Sequence, residues 1–201
     1  MNRQAVQTLK TYFGYDTFRE GQESVVESIL EHRDVLAIMP TGAGKSICYQ
    51  VPALMLSGIT IVISPLISLM QDQVKALNEA GIHAAFINSS LSESQISKAL
   101  YLAAGGRYKI IYVAPERLEN YEFLEFARQV EISMVTVDEA HCISQWGQDF
   151  RPSYLKIAPC IRALPRRPVV AAFTATATPE VREDIVRLLG LDEPDVLVTG
   201  F

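Results

Sequence analysis

The sequence is poor in the features that mark secreted, membrane-embedded or metal-stapled proteins. Its three cysteines, Cys48, Cys142 and Cys160, are scattered and odd in number. That argues against a disulfide framework and for reducing, cytoplasmic surroundings. No C-x-x-C or H-x-x-x-H pair exists, so a structural zinc has no ligand set to draw on. No apolar run approaches the length of a membrane span. The opening Met1-Asn2-Arg3-Gln4 runs straight into an amphipathic pattern, without the apolar stretch of a signal peptide. A basic surplus is missing too: the formal net charge is −5. Nucleic-acid binders usually carry a basic face, so any such contact has to be local or shared with parts outside this chain. There is no repeat, low-complexity segment or linker.

What is present is enough for one sizeable α/β domain. The 201 residues are 49% hydrophobic and 20% charged, the balance of an ordinary globular chain with a full core. Residues 2–13 and 20–32 read as helices, with Val25, Val26, Ile29 and Leu30 at helical spacing. Seven short apolar runs follow, at 35–39, 59–63, 84–87, 109–113, 132–137, 169–173 and 196–199. Helical stretches lie between them at 45–56, 66–80, 92–104, 120–129, 153–163 and 179–189. This alternation predicts βαβ units and a mainly parallel sheet with helices on both faces. Ligands of such sheets sit beyond the C-terminal strand ends. The polar, unusual residues do follow the apolar runs directly, so one sheet edge is expected to carry the chemistry. Arg166-Arg167, flanked by prolines, reads as an exposed turn, and Cys142 and Cys160 read as structural.

Pro40-Thr41-Gly42-Ala43-Gly44-Lys45-Ser46 follows the first run and opens a helix. Glycines let backbone N–H groups converge on phosphate oxygens, and a helix N-terminus adds positive potential. Lys45 is placed to reach the β- and γ-phosphates of ATP, and the Ser46 hydroxyl to ligate Mg²⁺. The strict phosphate-loop pattern asks for glycine where Met39 stands; T-G-A-G-K-S carries its second glycine at Gly42 instead. After the fifth run comes Asp138-Glu139-Ala140-His141. A strand-tip carboxylate beside a phosphate loop suits Mg²⁺, here Asp138, and the adjacent Glu139 suits the general base that polarises water. His141 has no second ligand near it in sequence with which to bind a metal.

D-E-A-H after T-G-A-G-K-S resembles the superfamily-two helicases. The segment from Cys142 to Pro152, with S-Q-W-G-Q-D-F-R-P, resembles the aromatic-rich loop of the RecQ family of DNA helicases. Similarity to that family extends over nearly the whole chain. Phe13-Gly14-Tyr15, Phe18-Arg19 and Gln22 look like its adenine-reading segment. Ser64–Val74 and Tyr112–Leu118 resemble its DNA-contacting motifs, and Phe173-Thr174-Ala175-Thr176-Ala177 its interlobe coupling motif.

The resemblance implies an α/β, RecA-like P-loop NTPase lobe over 1–201, with N-terminal helices in 1–33 carrying the adenine-reading segment. It implies ATP and Mg²⁺ as cofactors, with Lys45, Asp138, Glu139 and His141 as catalytic residues. Tyr15, Arg19 and Gln22 would hold the base, because an amide matches the N6/N7 edge of adenine. Residues Thr41, Gly42, Ala43, Gly44, Lys45 and Ser46 would cradle the phosphates. Ser64, Gln145, Trp146, Phe150, Arg151, Thr174 and Thr176 would couple to DNA. Stacking of unpaired bases on aromatic rings contributes about 1–3 kcal/mol per base. Gln148 stands where the family frequently has histidine; it hydrogen-bonds but carries no charge, which puts the coupling of that loop in question. By the same resemblance the chain ends at Gly200-Phe201, about where the connector to a second RecA-like lobe begins. That lobe in cis and the family's accessory domains are then absent, and the monomeric lobe alone binds nucleotide but hydrolyses it poorly. The parent is expected to be a 3′–5′ helicase acting on single-stranded and duplex DNA in repair and recombination, with no membrane association. The rival readings are an RNA helicase of the same superfamily and a nucleotide-gated scaffold.

Overall fold

A computed structural model describes residues 2–199. Met1, Gly200 and Phe201 lie outside the described residues, and with the last two lies the reading of a connector at the chain's end. The strands are β1 (Val35–Ile38), β2 (Ile59–Ile63), β3 (Ala84–Ile87), β4 (Ile110–Val113), β5 (Ile132–Val137), β6 (Val169–Thr174) and β7 (Asp195–Val198). The helices are α1 (Arg3–Phe13), α2 (Gln22–Leu30), α3 (Lys45–Met55), α4 (Ile67–Glu79), α5 (Glu93–Ala104), α6 (Tyr121–Gln129), α7 (Ile157–Arg162) and α8 (Pro179–Leu189). All seven expected strands form, and they pair in parallel in the order β3-β4-β2-β5-β6-β1-β7.

The strands are apolar on both sides because helices cover both sides. On one face Val25 and Ile29 of α2, Cys48, Tyr49 and Ala53 of α3 and Met70, Val74 and Leu77 of α4 pack against Val35, Ala37, Val62, Tyr112 and Met134. On the other, α5, α6, α7 and α8 bury Leu100, Phe123, Ile157 and Ile185 against Leu36, Ile61, Ile111, Val135 and Val170. Helix α1 forms an outer layer, with Ala5 and Leu9 against Val26, Ile47 and Val51.

Two expectations change in detail. The helix expected at 153–163 begins as a 3-10 turn, Pro152–Lys156, and becomes α-helical only at Ile157. Pro152 has no N–H to donate, and Tyr154 N donates back three residues to Arg151 O at 3.0 Å. The Arg166-Arg167 turn is exposed in its backbone, but Arg167 is not free. Its guanidinium forks onto the buried Asp34 carboxylate at 3.0 and 2.6 Å. Asp34 also accepts from Val170 N and Asp192 N. Asp34 precedes β1, at the edge of the sheet away from the phosphate loop, so Arg167 pins strand starts together.

Candidate active site

The sheet order puts β6 between β1 and β5. The phosphate loop leaves β1 and the acidic turn leaves β5, so one strand separates them, and their side chains meet above its tip. Gly42 (φ 86°) and Gly44 (φ 75°) take left-handed conformations that side chains resist. A Cβ on Gly44 would also lie 2.5 Å from Gln22 Nε2. Gly44 caps α3 without any side-chain hydrogen bond, which leaves the helix N-terminus to an anion.

Lys45 Nζ lies 3.2 Å from Asp138 Oδ1 and 3.6 Å from Glu139 Oε1. The loop lysine therefore sits on both carboxylates of the acidic turn. Asp138 is nearly buried; its Oδ1 accepts from Glu139 N at 2.9 Å, and its carbonyl accepts from Tyr154 Oη at 2.7 Å. Glu139 is held at φ 51°, ψ 45°, a left-handed backbone uncommon outside glycine. That turn swings His141 under β6, where Nδ1 is 2.8 Å from Thr174 Oγ1 and 3.6 Å from Glu139 Oε2. Among the described residues no group of three or more His, Cys, Asp or Glu is placed to hold a metal alone. An ion at Asp138 and Ser46 must take its other ligands from phosphate oxygens and water, the manner in which Mg²⁺ is usually held.

Beside the loop lies a cleft of about 390 Å³ lined by Tyr12, Tyr15, Arg19, Gln22, Ser46 and Gln50, among others. Gln22 is buried: its Oε1 accepts from Arg19 N at 2.7 Å and its Nε2 donates to Gly44 O at 2.9 Å. Arg19 Nη1 donates to Gly42 O at 3.0 Å. The segment carrying Arg19 and Gln22 is thus bolted to the phosphate loop, with one amide N–H and one oxygen lone pair of Gln22 left over. Tyr15 is 53% exposed, a free ring face at the cleft. Thr41 and Ala43 lie in the loop, exposed and half-buried.

The aromatic loop, Cys142 to Pro152, starts directly after His141. Trp146 is 78% exposed and Gln145 is exposed; Phe150 is half-buried. With Leu155, Asp184 and Arg187 these three line a groove of about 290 Å³. Ser144 anchors the loop: it donates to Asp184 Oδ2 at 2.7 Å and accepts from Trp146 N at 3.1 Å. Arg151 is turned back onto Asp149 through Nε and Nη2, both at 3.1 Å.

Two residues are placed differently from expectation. Ser64 is buried, and its hydroxyl accepts from Leu66 N at 3.4 Å, so it shapes the turn into α4 without presenting itself outward. Thr174 is fully buried, its hydroxyl spent on His141 and on Thr176 O, while Thr176 is exposed. Sequence reading missed Tyr154 and Asp34, whose partners are distant in the chain and carry no local signal.

A parallel sheet with a glycine loop and an acidic turn flanking one strand is the architecture of a RecA-like P-loop nucleotide-binding lobe. The chain belongs to the DEAD/DEAH box helicase family, whose model matches residues 19–185. It is 52% identical over 202 residues to the ATP-dependent DNA helicase RecQ of Bacillus subtilis (strain 168), covering 100% of this chain and 34% of that protein. It is 41% identical over 203 residues to the bifunctional 3′-5′ exonuclease/ATP-dependent helicase WRN of Mus musculus, covering 100% of this chain and 14% of that one. Among solved structures, a hypothetical ATP-dependent RNA helicase from Sulfolobus tokodaii superposes with a TM-score of 0.76 at 19% identity, over 99% of this chain and 57% of that chain. The helicase domain of Pyrococcus furiosus Hef does so at 0.68 and 21%, over 89% and 37%. These two likenesses bear on the fold. The chain spans about a third of the length of the bacterial RecQ relatives it matches, 34% and 32% in two of them.

Proposed function

We propose that this chain is the ATP-hydrolysing lobe of a 3′–5′ DNA helicase that works in repair and recombination. The observation that carries the reading is Lys45 Nζ at 3.2 Å from Asp138 and 3.6 Å from Glu139, at the mouth of an uncapped helix. Lys45 and the N–H groups of Gly42–Ser46 bind and orient the triphosphate. Glu139 takes the proton of a water whose oxygen attacks the γ-phosphorus; the bond to the β–γ bridging oxygen breaks and ADP leaves. Ser46 and Asp138 would hold Mg²⁺, which when bound neutralises charge on the phosphate oxygens. Tyr15, Arg19 and Gln22 take the adenine.

Trp146, Phe150 and Gln145 offer stacking and hydrogen-bonding surface to single-stranded DNA; Arg151 follows Phe150 in the same loop, and Thr176 adds an exposed hydroxyl two residues beyond β6. The loop follows the acidic turn directly, so a base bound at Trp146, five residues beyond His141, pulls on it through the chain itself. A second RecA-like lobe in cis would supply the cation that meets the γ-phosphate from the far side, a contribution of about 10³–10⁵ in rate in P-loop enzymes. The protein would act as a monomer in the cytoplasm.

Calorimetry with ATP tests the reading. Lys45→Ala is expected to weaken binding roughly ten- to a hundred-fold, the loss of one charge-assisted contact of about 1.5–3 kcal/mol. Unchanged affinity overturns the assignment. Comparing hydrolysis with single-stranded DNA, RNA or neither separates a DNA motor from an RNA motor and from a scaffold.

A further inference from the structure

Behind the cleft beside the phosphate loop, three elements are tied by side-chain hydrogen bonds that join α3 to the segments Ser64–Val74 and Tyr112–Leu118. Gln50 lies on α3, four residues and so about one turn beyond Ser46. Its Nε2 donates to Tyr112 Oη on β4 and to Gln73 Oε1 on α4, both at 2.9 Å. Tyr112 Oη lies 2.8 Å from Tyr49 Oη. Tyr49, Gln50 and Tyr112 are all buried. Desolvation pushes the Tyr112 hydroxyl up to about 12 and that of Tyr49 well above its usual value, so both stay protonated and can donate throughout the neutral range.

The geometry leaves little slack. An amide nitrogen has two protons, and Gln50 spends one on each neighbour. If Gln50 shifts, it gives up either its buried bond to Tyr112 or its half-buried bond to Gln73, and the buried one is costly to leave unmade. Gln50 and Gln73 also line the cleft that holds Tyr15, Arg19 and Gln22. Their side chains are therefore part of the wall that an occupant of the cleft would meet. Away from the cleft, Gln73 sits on the helix whose first turn exposes Leu66, Ile67 and Leu69 and has no side-chain cap. Tyr112 opens the segment that continues through Ala114 to Arg117 at the same sheet edge.

We propose that Gln50, Tyr112 and Gln73 form a relay that sets the position of α4 according to whether the cleft is filled. Gln73 and Tyr112 are positioning residues in this scheme; they act through α4 and β4, not on the reacting atoms. The proposal rests on reading the cleft as the nucleotide site. It adds a route from base to sheet edge that bypasses the acidic turn and the aromatic loop. Because coupling between two sites is reciprocal, a strand bound at the first turn of α4 would change nucleotide affinity by the same factor.

Hydrogen–deuterium exchange on the 201-residue chain, with and without Mg²⁺ and a non-hydrolysable ATP analogue, tests this. In the unsubstituted protein the analogue is expected to slow exchange at Gly42–Ile47 and also at Met70–Val74, the latter by about fivefold or more, the lower end of usual coupling. Tyr112→Phe removes one oxygen and should keep nucleotide affinity within about threefold. It should retain the protection at Gly42–Ile47 and lose that at Met70–Val74. Gln73→Leu, on the partly exposed side of the relay, should lose it as well. A merely structural network would raise exchange in α4 equally with and without nucleotide, leaving the difference intact. A nucleotide-dependent difference at Met70–Val74 that survives in both variants, or that never appears in the unsubstituted protein, overturns the relay. Absence of any protection at Gly42–Ile47 overturns the nucleotide reading itself, and the relay with it.

Discussion

His141 Nδ1 lies 2.8 Å from Thr174 Oγ1, and the Thr174 hydroxyl spends its one proton on Thr176 O at 3.1 Å. Thr174 can therefore only accept from His141, which puts a proton on Nδ1 and, in a neutral ring, makes Nε2 the acceptor. The carbonyl of the same threonine accepts from Met39 N at 2.9 Å, at the entry to the phosphate loop. One residue on the intervening strand thus touches both halves of the site. Thr174→Val should release the Nδ1 proton and shift His141 toward the other tautomer. Long-range proton–nitrogen spectra of the imidazole check this; an unchanged spectrum in the variant means the contact does not set the tautomer.

Gln22→Ala should do more than narrow a preference for ATP over GTP. Gln22 also holds Gly44 O and Arg19 N, so its loss loosens the loop for both nucleotides. Removing one such buried amide contributes about 1–3 kcal/mol, so affinity for both should fall roughly five- to a hundred-fold, and more for ATP. Titrations with the two nucleotides read this directly. Equal binding of ATP and GTP by the unsubstituted protein would rule out base reading by Gln22.

The 201-residue chain alone should hydrolyse ATP feebly, with little stimulation by single-stranded DNA. On the proposed reading its phosphate loop, Asp138 and Glu139 would meet a γ-phosphate from one side, and contacts open to water stabilise a transition state less than enclosed ones. DNA binding should be weak and steeply salt-dependent, since the chain carries a net charge of −5. Trp146 is the single tryptophan and is 78% exposed, so its emission reports on the aromatic loop. Brisk, strongly DNA-stimulated turnover by this chain would show that no second lobe is required.

The anchor of the aromatic loop should titrate in acid. A hydrogen bond from Ser144 holds the Asp184 carboxyl below its ordinary value of 3.8, with Arg187 helping and partial burial opposing. A carboxyl depressed in the folded state stabilises above its unfolded value and loses that contribution as pH falls through the folded one. The loop should stay anchored at neutral pH and begin to release only below about pH 4, where the carboxyl starts to protonate. Ser144→Ala should raise the Asp184 pKa toward the ordinary value, as followed by carbon resonances of its carboxyl. A titration unmoved by the substitution would mean that Ser144 is not the cause.

Much of this was legible in the chain. Strand and helix alternation is a local, periodic signal, and apart from the stretch 153–163, which becomes α-helical only at Ile157, the elements fall within about two residues of the expected ranges. The phosphate loop and the acidic turn are equally local, because each needs only contiguous residue types after a strand. Glu139 and Trp146 announce themselves for the same reason.

What the tertiary structure alone decided is which strands are neighbours and which distant side chains satisfy one another. Nothing near Thr174 says that β6 lies between β1 and β5; strand order is set by long-range packing and pairing, and adjacent residues do not encode it. Gln22 is singled out in the sequence by the resemblance alone, and nothing near it shows that Gly44, 22 positions away, will hold its amide. Asp34 finds Arg167 across 133, and Gln50 finds Tyr112 across 62. In each case a polar group buried by the fold needs a hydrogen-bond partner, and only the folded chain determines which residue is near enough to serve.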